Sequence, residues 1–337
     1  MKVLQNSSLK SYNTFGIDVK AERFVSVSSL EELKSVLTGN YAEELFILGG
    51  GSNMLLTQDI TATVLHIDLK GIKVVQEAED YAYIQANAGE NWHEFVLWTL
   101  AHGYGGLENL SLIPGNIGSS PIQNIGAYGV ELKDHFVSCE AIDIQTIERI
   151  SFNAEECDFG YRNSIFKNKV KGKYIITSVT FKLSKKNHQL YTNYGSINEA
   201  LEESGITNPS IQDVSNAVIR IRQQKLPDPR ELGNSGSFFK NPLISAEAFQ
   251  ELQKEYPEMP HYKISENEFK IPAGWLIDRA GFKGFREGDA GVHKNQALVL
   301  VNYGRATGSD ILNLAQKIQD KIHSQFKIAL EPEVNIF

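Results

Sequence analysis

The sequence predicts an α+β or mixed α/β fold of two or three domains. Three observations carry that expectation. Strand-like and helix-like segments alternate along the chain. The 337 residues fill two or three domains at roughly 100–200 residues each. Leu226-Pro227-Asp228-Pro229 breaks the alternation and reads as a linker, since neither proline fits a helix interior or a central strand.

Phe24 to Val27 reads as a strand, and Ser29-Leu30-Glu31-Glu32 is a capping box. The box opens a helix with Leu30, Leu33, Val36 and Leu37 on one face. Leu45 to Leu48 is an apolar strand running into Gly49-Gly50-Gly51-Ser52-Asn53, and Met54 to Thr57 reads as strand or turn. Val64 to Ile67 is another strand. A second segment begins near Gly71, with a strand at Tyr81 to Ala86 and a helix capped by Asn91 that ends at Gly103. Strands return at Val137 to Ile144 and Tyr174 to Leu183, and a helix follows at Val214 to Gln223. The third segment runs from the linker to about Asn302. Ser309 is the expected cap of a closing helix that buries Ile311, Leu314, Ala315, Ile318 and Ile322.

Composition narrows the function classes. Hydrophobic content of 42% and charged content of 22% are ordinary for a globular protein. The longest apolar runs are too short to span a bilayer, and the first residues lack the apolar core of a secretion signal, so a cytoplasmic protein is expected. Cys139 and Cys157 form no CxxC pair and have no metal-ligand spacing; no metal site is expected, and a reducing compartment fits. The net charge of −8 disfavours nonspecific binding to nucleic acid or acidic membranes. An anionic ligand would need a local basic cluster.

Two glycine-rich stretches carry chemistry. The strand running into Gly49-Gly50-Gly51-Ser52-Asn53 offers backbone N–H groups without Cβ obstruction, as an anion cradle needs. A Walker A loop is excluded because Met54 follows Asn53, and the dinucleotide fingerprint is excluded because no third glycine opens a helix. Phosphate binding and a plain tight turn both remain open. The stretch from Gly105 to Gly129 is long for a connection inside a domain, and such loops are usually functional. Its Pro114-Gly115-Asn116-Ile117-Gly118-Ser119-Ser120-Pro121-Ile122-Gln123-Asn124-Ile125-Gly126-Ala127-Tyr128-Gly129 run supplies small residues, hydroxyls and amides suited to a large planar cofactor.

Together these loops resemble the FAD-binding region of the UDP-N-acetylmuramate dehydrogenase family, flavoenzymes with a two-lobed FAD-binding domain of the vanillyl-alcohol-oxidase type. Three further stretches carry the resemblance: Gly160-Tyr161-Arg162-Asn163-Ser164-Ile165-Phe166-Lys167, Gly236-Ser237-Phe238-Phe239-Lys240-Asn241-Pro242 and Glu331-Pro332-Glu333-Val334. They occur in family order from about residue 12 onward, and the segment from Tyr191 to Ile197 fits the longer type I branch. The resemblance implies lobe 1 at 1–70 with 309–337, lobe 2 with a tyrosine loop at 71–225, and a C-terminal α+β substrate-binding domain at 230–305. It implies FAD held by Gly49, Gly50, Gly51, Ser52, Asn53, Pro114, Gly115, Gly118, Ser119, Ser120, Gln123, Asn124, Gly126, Ala127, Tyr128, Tyr161, Arg162 and Arg222. NADPH and UDP-N-acetylglucosamine enolpyruvate would share one site in turn, since the chain holds no separate nicotinamide fingerprint. A monomer is expected.

The same resemblance assigns catalysis to Ser237, Arg162 and Glu333. A serine hydroxyl can protonate a positioned enolate; on residue type alone a buried structural serine is the better reading, and the surrounding motif reverses that. Arginine stays charged and pairs with carboxylates, which suits a developing enolate. Glu333 would either stabilise the electron-poor carbon or, if protonated, hydrogen-bond the enolpyruvyl carboxyl. Tyr194, Lys225, Lys240 and Asn241 match substrate contacts, with Tyr191 a neighbouring competitor for the tyrosine role. One departure stands out: many family members carry arginine two residues beyond the glutamate, and here that residue is Asn335. Two other readings are an FAD-dependent oxidase of the same fold and a catalytically silent nucleotide-sugar-binding protein. The filled Ser237 and Arg162 positions disfavour the second.

Overall fold

In the computed structural model, residues 2–39 and 44–337 are described, and they pack as two units. The first comprises residues up to 7, 21–50 and 60–224; the second comprises 8–20, 51–59 and 225–337. The chain crosses between them inside the glycine loop, after Gly50.

The first unit holds two sheets. Lys20–Val27, Ile60–Ile67 and Leu45–Leu48 run parallel, with Val3–Ser8 on the outer side of Lys20–Val27. The helix Leu30–Thr38 starts where the sequence predicts, with Ser29 accepting the Glu32 N–H at 3.1 Å. Such a cap stabilises a helix by about 1 kcal/mol. Leu33, Val36 and Leu37 bury against Val25, Val27, Leu65 and Ile67, as the helical spacing requires. The second sheet is antiparallel, in the order Arg149–Asn153, Phe136–Asp143, Tyr174–Ser184, Tyr81–Asn87, Ile72–Glu77. Against it packs the helix Trp92–Ala101, capped by Asn91, with Trp92 and Phe95 set on Phe181. Indole Nε1–H of Trp92 donates to Leu110 O at 2.9 Å, which pins the start of the long loop to that helix. Helices Ile197–Glu203 and Ile211–Lys225 share a small core of Ile197, Leu201, Val214, Val218 and Ile221.

The second unit has a four-stranded antiparallel sheet ordered Gly233–Ser237, Val299–Asn302, Ala290–Val292, Arg286–Glu287. A three-stranded sheet adds Leu243–Ser245, Glu268–Lys270 and Tyr262–Ser265. The helix Gly308–Phe326 buries Ile311, Leu314, Ala315, Ile318 and Ile322, the predicted set. Its cap is Thr307, not Ser309: Thr307 and Asp310 hold each other's backbone N–H groups, a reciprocal pair that a serine inside the first turn cannot form.

This two-unit packing is coarser than the three-part division expected from the sequence, and it divides the 1–70 segment. Its 8–20 and 51–59 stretches pack with the C-terminal part. Met54–Leu55 pairs in parallel with Asn335–Ile336, and Thr57 N–H donates to Phe337 O at 2.7 Å. Gly51 permits this entry: its φ is +60°, and a Cβ there would overlap the Tyr12 carbonyl.

Candidate active site

In the first unit the two glycine-rich loops touch. A Cβ on Gly50 would lie 2.8 Å from Asn116 Oδ1 and 3.0 Å from Gly115 Cα, so only glycine lets the backbones approach this closely. The long loop is fixed from behind. Trp92 N–H donates to Gly115 O at 3.0 Å, and the Ile117 and Gly118 N–H groups donate to Glu90 O and Ala88 O at 2.9 Å each. The Ser119 and Ser120 hydroxyls donate to Asn116 O and Ile117 O inside the loop. Buried Asn124 ties the loop to Gly160 O at 3.1 Å and to Glu131 at 3.0 Å.

Gly126–Ala127 and Val130–Glu131 form a hairpin whose two turn residues, Tyr128 and Gly129, have φ of +51° and +81°. Positive φ at both centres defines the mirror-image turn that suits hairpin twist. A tyrosine there costs about 1–2 kcal/mol, and the surroundings must impose it. They do: buried Asn109 donates from Nδ2 to Tyr128 O at 2.9 Å, and the Arg222 guanidinium lies beside the Tyr128 hydroxyl. Burial pushes the Tyr128 phenol up, partly offset by Arg222. Arg222 retains some exposed surface, but its Nε is enclosed without a hydrogen-bond partner, and desolvation lowers its pKa. The Arg162 charge repels it and lowers it further.

Arg162 also sits at positive φ, +53°, with Nη2 donating to Gly126 O at 2.6 Å. Lys167 Nζ donates to Arg162 O at 3.1 Å, and the Tyr161 ring lies 5.6 Å from the Arg162 guanidinium carbon. Tyr194 is exposed and packs on the hairpin: a Cβ at Gly129 would lie 3.3 Å from Tyr194 Cβ. The first unit therefore gathers Tyr128, Arg162, Arg222 and Tyr194 around one strained turn.

The second unit gathers the other motifs. Ser237 ends the strand Gly233–Ser237 opposite Val299. Next in the chain, Phe238 and Phe239 are buried, and Phe238 O accepts the Glu333 N–H at 2.8 Å. Ser237 and Glu333, 96 residues apart in sequence (333 − 237), are thus backbone neighbours. Asn53 Nδ2 donates to Glu333 O at 3.3 Å, and Asn335 Nδ2 donates to Asn53 O at 2.9 Å. Ser235 Oγ donates to Met54 O at 3.1 Å. The glycine-loop end is therefore bonded to both motif strands. Asn335 spends its amide on this backbone.

Lys240 is ion-paired with Glu331 at 2.9 Å, and that carboxylate falls below its usual pKa because of the bond. Asn241 Oδ1 accepts the Ala273 N–H at 2.9 Å at the start of the helix Ala273–Arg279. Both expected substrate contacts thus also serve the fold. Lys225 is the last residue of Ile211–Lys225.

Sequence reasoning passed over two residues. Asn109 holds the strained turn. His93 accepts the Leu112 N–H at 3.0 Å through Nδ1, and its pKa is lowered by desolvation and further by Arg222. The Asn91-Trp92-His93-Glu94 run signalled a helix start, and nothing in it marked the imidazole's neighbour. Among the described residues no group of three His, Cys, Asp or Glu is poised for a metal, and no helix is long and apolar enough to cross a membrane.

Comparisons with known proteins bear on these residues. Residues 21–146 match the family described as an FAD binding domain, and 228–337 match the C-terminal domain of UDP-N-acetylenolpyruvoylglucosamine reductase. A reductase of that name from Flavobacterium johnsoniae is 59% identical over 336 residues, covering 100% of both chains. One from Pseudomonas fluorescens is 50% identical and covers 99% of each. The crystal structure of the Thermus caldophilus reductase aligns with a TM-score of 0.70 at 25% identity, covering 100% of this chain and 98% of that one.

Proposed function

This chain belongs to the UDP-N-acetylenolpyruvoylglucosamine reductase family and is an FAD-dependent oxidoreductase, and from that premise we propose that it reduces UDP-N-acetylglucosamine enolpyruvate to UDP-N-acetylmuramate at the expense of NADPH. The reaction would serve the synthesis of peptidoglycan precursors in the cytoplasm.

FAD suits the residues of the first unit. Two backbones meet at Gly50 where a side chain would intrude, and Arg222 presents an enclosed Nε donor beside a second guanidinium. Repelling cations with an unsatisfied donor favour an anionic ligand. Gly49, Gly50, Gly115, Gly118, Tyr128, Tyr161 and Arg222 are the proposed contacts of this unit. FAD, when bound, supplies a two-electron carrier between nicotinamide and substrate.

The rest falls to side chains. Reduction of the enolpyruvyl methylene leaves charge on the neighbouring carbon and its carboxylate. Arg162, fixed by Gly126 O and strained into place, pairs with that carboxylate. Ser237 gives its hydroxyl proton to the neighbouring carbon. Glu333 stabilises the same centre. Tyr194 and Lys225 hold the uridine diphosphate, and Lys240 and Asn241, which follow Ser237 closely in sequence, supply further substrate contacts.

The observation that carries this reading is the Glu333 N–H bond to Phe238 O, which brings two distant motifs together around Ser237. An anaerobic visible spectrum tests it. The flavin band should bleach with NADPH and return on addition of the enolpyruvyl substrate. Bleaching without return would move the substrate elsewhere, toward an oxidase of the same fold. Tyr194→Phe and Lys225→Ala should weaken UDP-substrate binding while FAD is retained; loss of FAD from either would contradict their assignment.

A further inference from the structure

Asn109 is 1% exposed, and its one amide group serves two distant carbonyls. Nδ2 donates to Tyr128 O at 2.9 Å and to Tyr191 O at 2.7 Å. Tyr128 is the strained turn residue whose hydroxyl meets Arg222. Tyr191 lies three residues before Tyr194. The two segments also interlock directly. A Cβ on Gly129 would lie 3.3 Å from Tyr194 Cβ, and one on Gly195 would lie 3.7 Å from the Tyr128 ring. Each glycine thus lies against the other segment's tyrosine, closely at Gly129. Only a donor with two hydrogens on one atom, pointing at both carbonyls, can hold this arrangement, and the buried amide meets that need. Asn109 Oδ1 has no hydrogen-bond partner, so nothing else fixes the side chain, and the two carbonyls define its orientation.

We infer that Asn109 is a positioning residue coupling the Tyr194 loop to the Tyr128–Arg222 pair, so that occupancy by a nucleoside diphosphate is registered at the flavin. This rests on the proposed function. A ligand that draws Tyr194 inward moves the Tyr191 carbonyl. Through Asn109 the displacement reaches the Tyr128 carbonyl, and a turn held at positive φ has few alternative conformations to absorb it. The Tyr128 hydroxyl then shifts against Arg222. Loss of the amide leaves two carbonyls without their buried donor and frees each segment from the other.

The test uses the FAD-loaded protein with UDP, which carries the diphosphate but not the group that reacts. In the unaltered protein UDP should perturb the visible flavin band. Asn109→Leu frees the Tyr191 segment from the hairpin, so it should weaken UDP binding about tenfold and abolish the perturbation at saturating UDP. Asn109→Asp keeps the shape without the paired donors and should behave the same at neutral pH, which guards against a misfolded leucine variant. Tyr128→Phe, which removes the hydroxyl facing Arg222, should lose the perturbation. A merely structural Asn109 would lower Tm and leave both the UDP affinity and the perturbation intact, overturning the inference. UDP binding to the unaltered protein with no flavin change would overturn it as well and leave the proposed function standing. Failure of the unaltered protein to bind FAD or UDP would overturn both.

Discussion

The two units present their candidate residues by opposite means. In the first, Arg162 and Tyr128 occupy strained backbone, and side chains hold them: Arg162 on Gly126 O and Asn109 on Tyr128 O, with the Arg222 guanidinium beside the Tyr128 hydroxyl. In the second, Ser237 and Glu333 rest on paired backbone, with Glu333 N–H on Phe238 O and Asn335–Ile336 against Met54–Leu55. Strain stabilised by side chains suits groups that must shift as ligands come and go. Backbone pairing would suit the proton donor proposed at Ser237, whose geometry must not drift.

The largest expected effect tests the second unit. Ser237→Ala should slow flavin reoxidation by the enolpyruvyl substrate about 10²–10⁴-fold and leave reduction by NADPH intact, as stopped-flow absorbance would read. Equal slowing of both half-reactions breaks the assignment. Next come the glycines. Gly51→Ala puts a Cβ into the Tyr12 carbonyl at positive φ, so denaturant unfolding should show a loss of about 3 kcal/mol or more. Gly129→Ala meets only Tyr194 and should cost about 1 kcal/mol. Comparable losses would dissolve the contrast between a backbone-locked and a side-chain-held region.

Arg222→Met removes an enclosed charge from the first unit. FAD affinity, followed by flavin fluorescence, should fall about 10–100-fold, while Tm holds or rises because an enclosed, incompletely paired cation is costly. A fall in Tm with FAD affinity kept would reverse its role. Asn335→Leu should cost about 1 kcal/mol or less, since its bond to Asn53 is exposed. The mildest effect is on pH. His66, His93, His135, His188 and His293 all have pKa values lowered by desolvation, so the unfolded chain binds their protons first. Stability should therefore be full above the unfolded histidine pKa near 6.5 and decline as pH falls through it. Tm measured between neutral and mildly acidic pH would reveal the opposite slope if these rings were charged in the fold.

What the sequence disclosed was local. Ser29 and Asn91 cap the predicted helices because a side chain three residues from its target needs no tertiary help. The Ser309 expectation failed because Thr307 forms a reciprocal pair with Asp310, and that pair was legible in Thr307-Gly308-Ser309-Asp310. The motifs around Ser237 and Glu333 were visible, but their pairing through Phe238 was not, since a backbone bond leaves no residue-type signature. The division of the chain at Gly50 was hidden for the same reason. Asn109 lay inside the long loop as one amide among several, and its carbonyl partners, 19 and 82 residues away, could not be read from spacing.

The strand pair Met54–Leu55 with Asn335–Ile336 has a consequence for synthesis. The 51–59 stretch emerges from the ribosome early, yet its partner strand emerges about 280 residues later. Residues 60–224 belong to the first unit and can begin packing while that stretch still waits, exposed, for its neighbour. Protease treatment of stalled chains ending near residue 230 should find 60–224 protected and 51–59 cut. The second unit is then an element of late assembly, and Ser237 comes into position only after the glycine loop, waiting since early translation, has been joined by the closing strand.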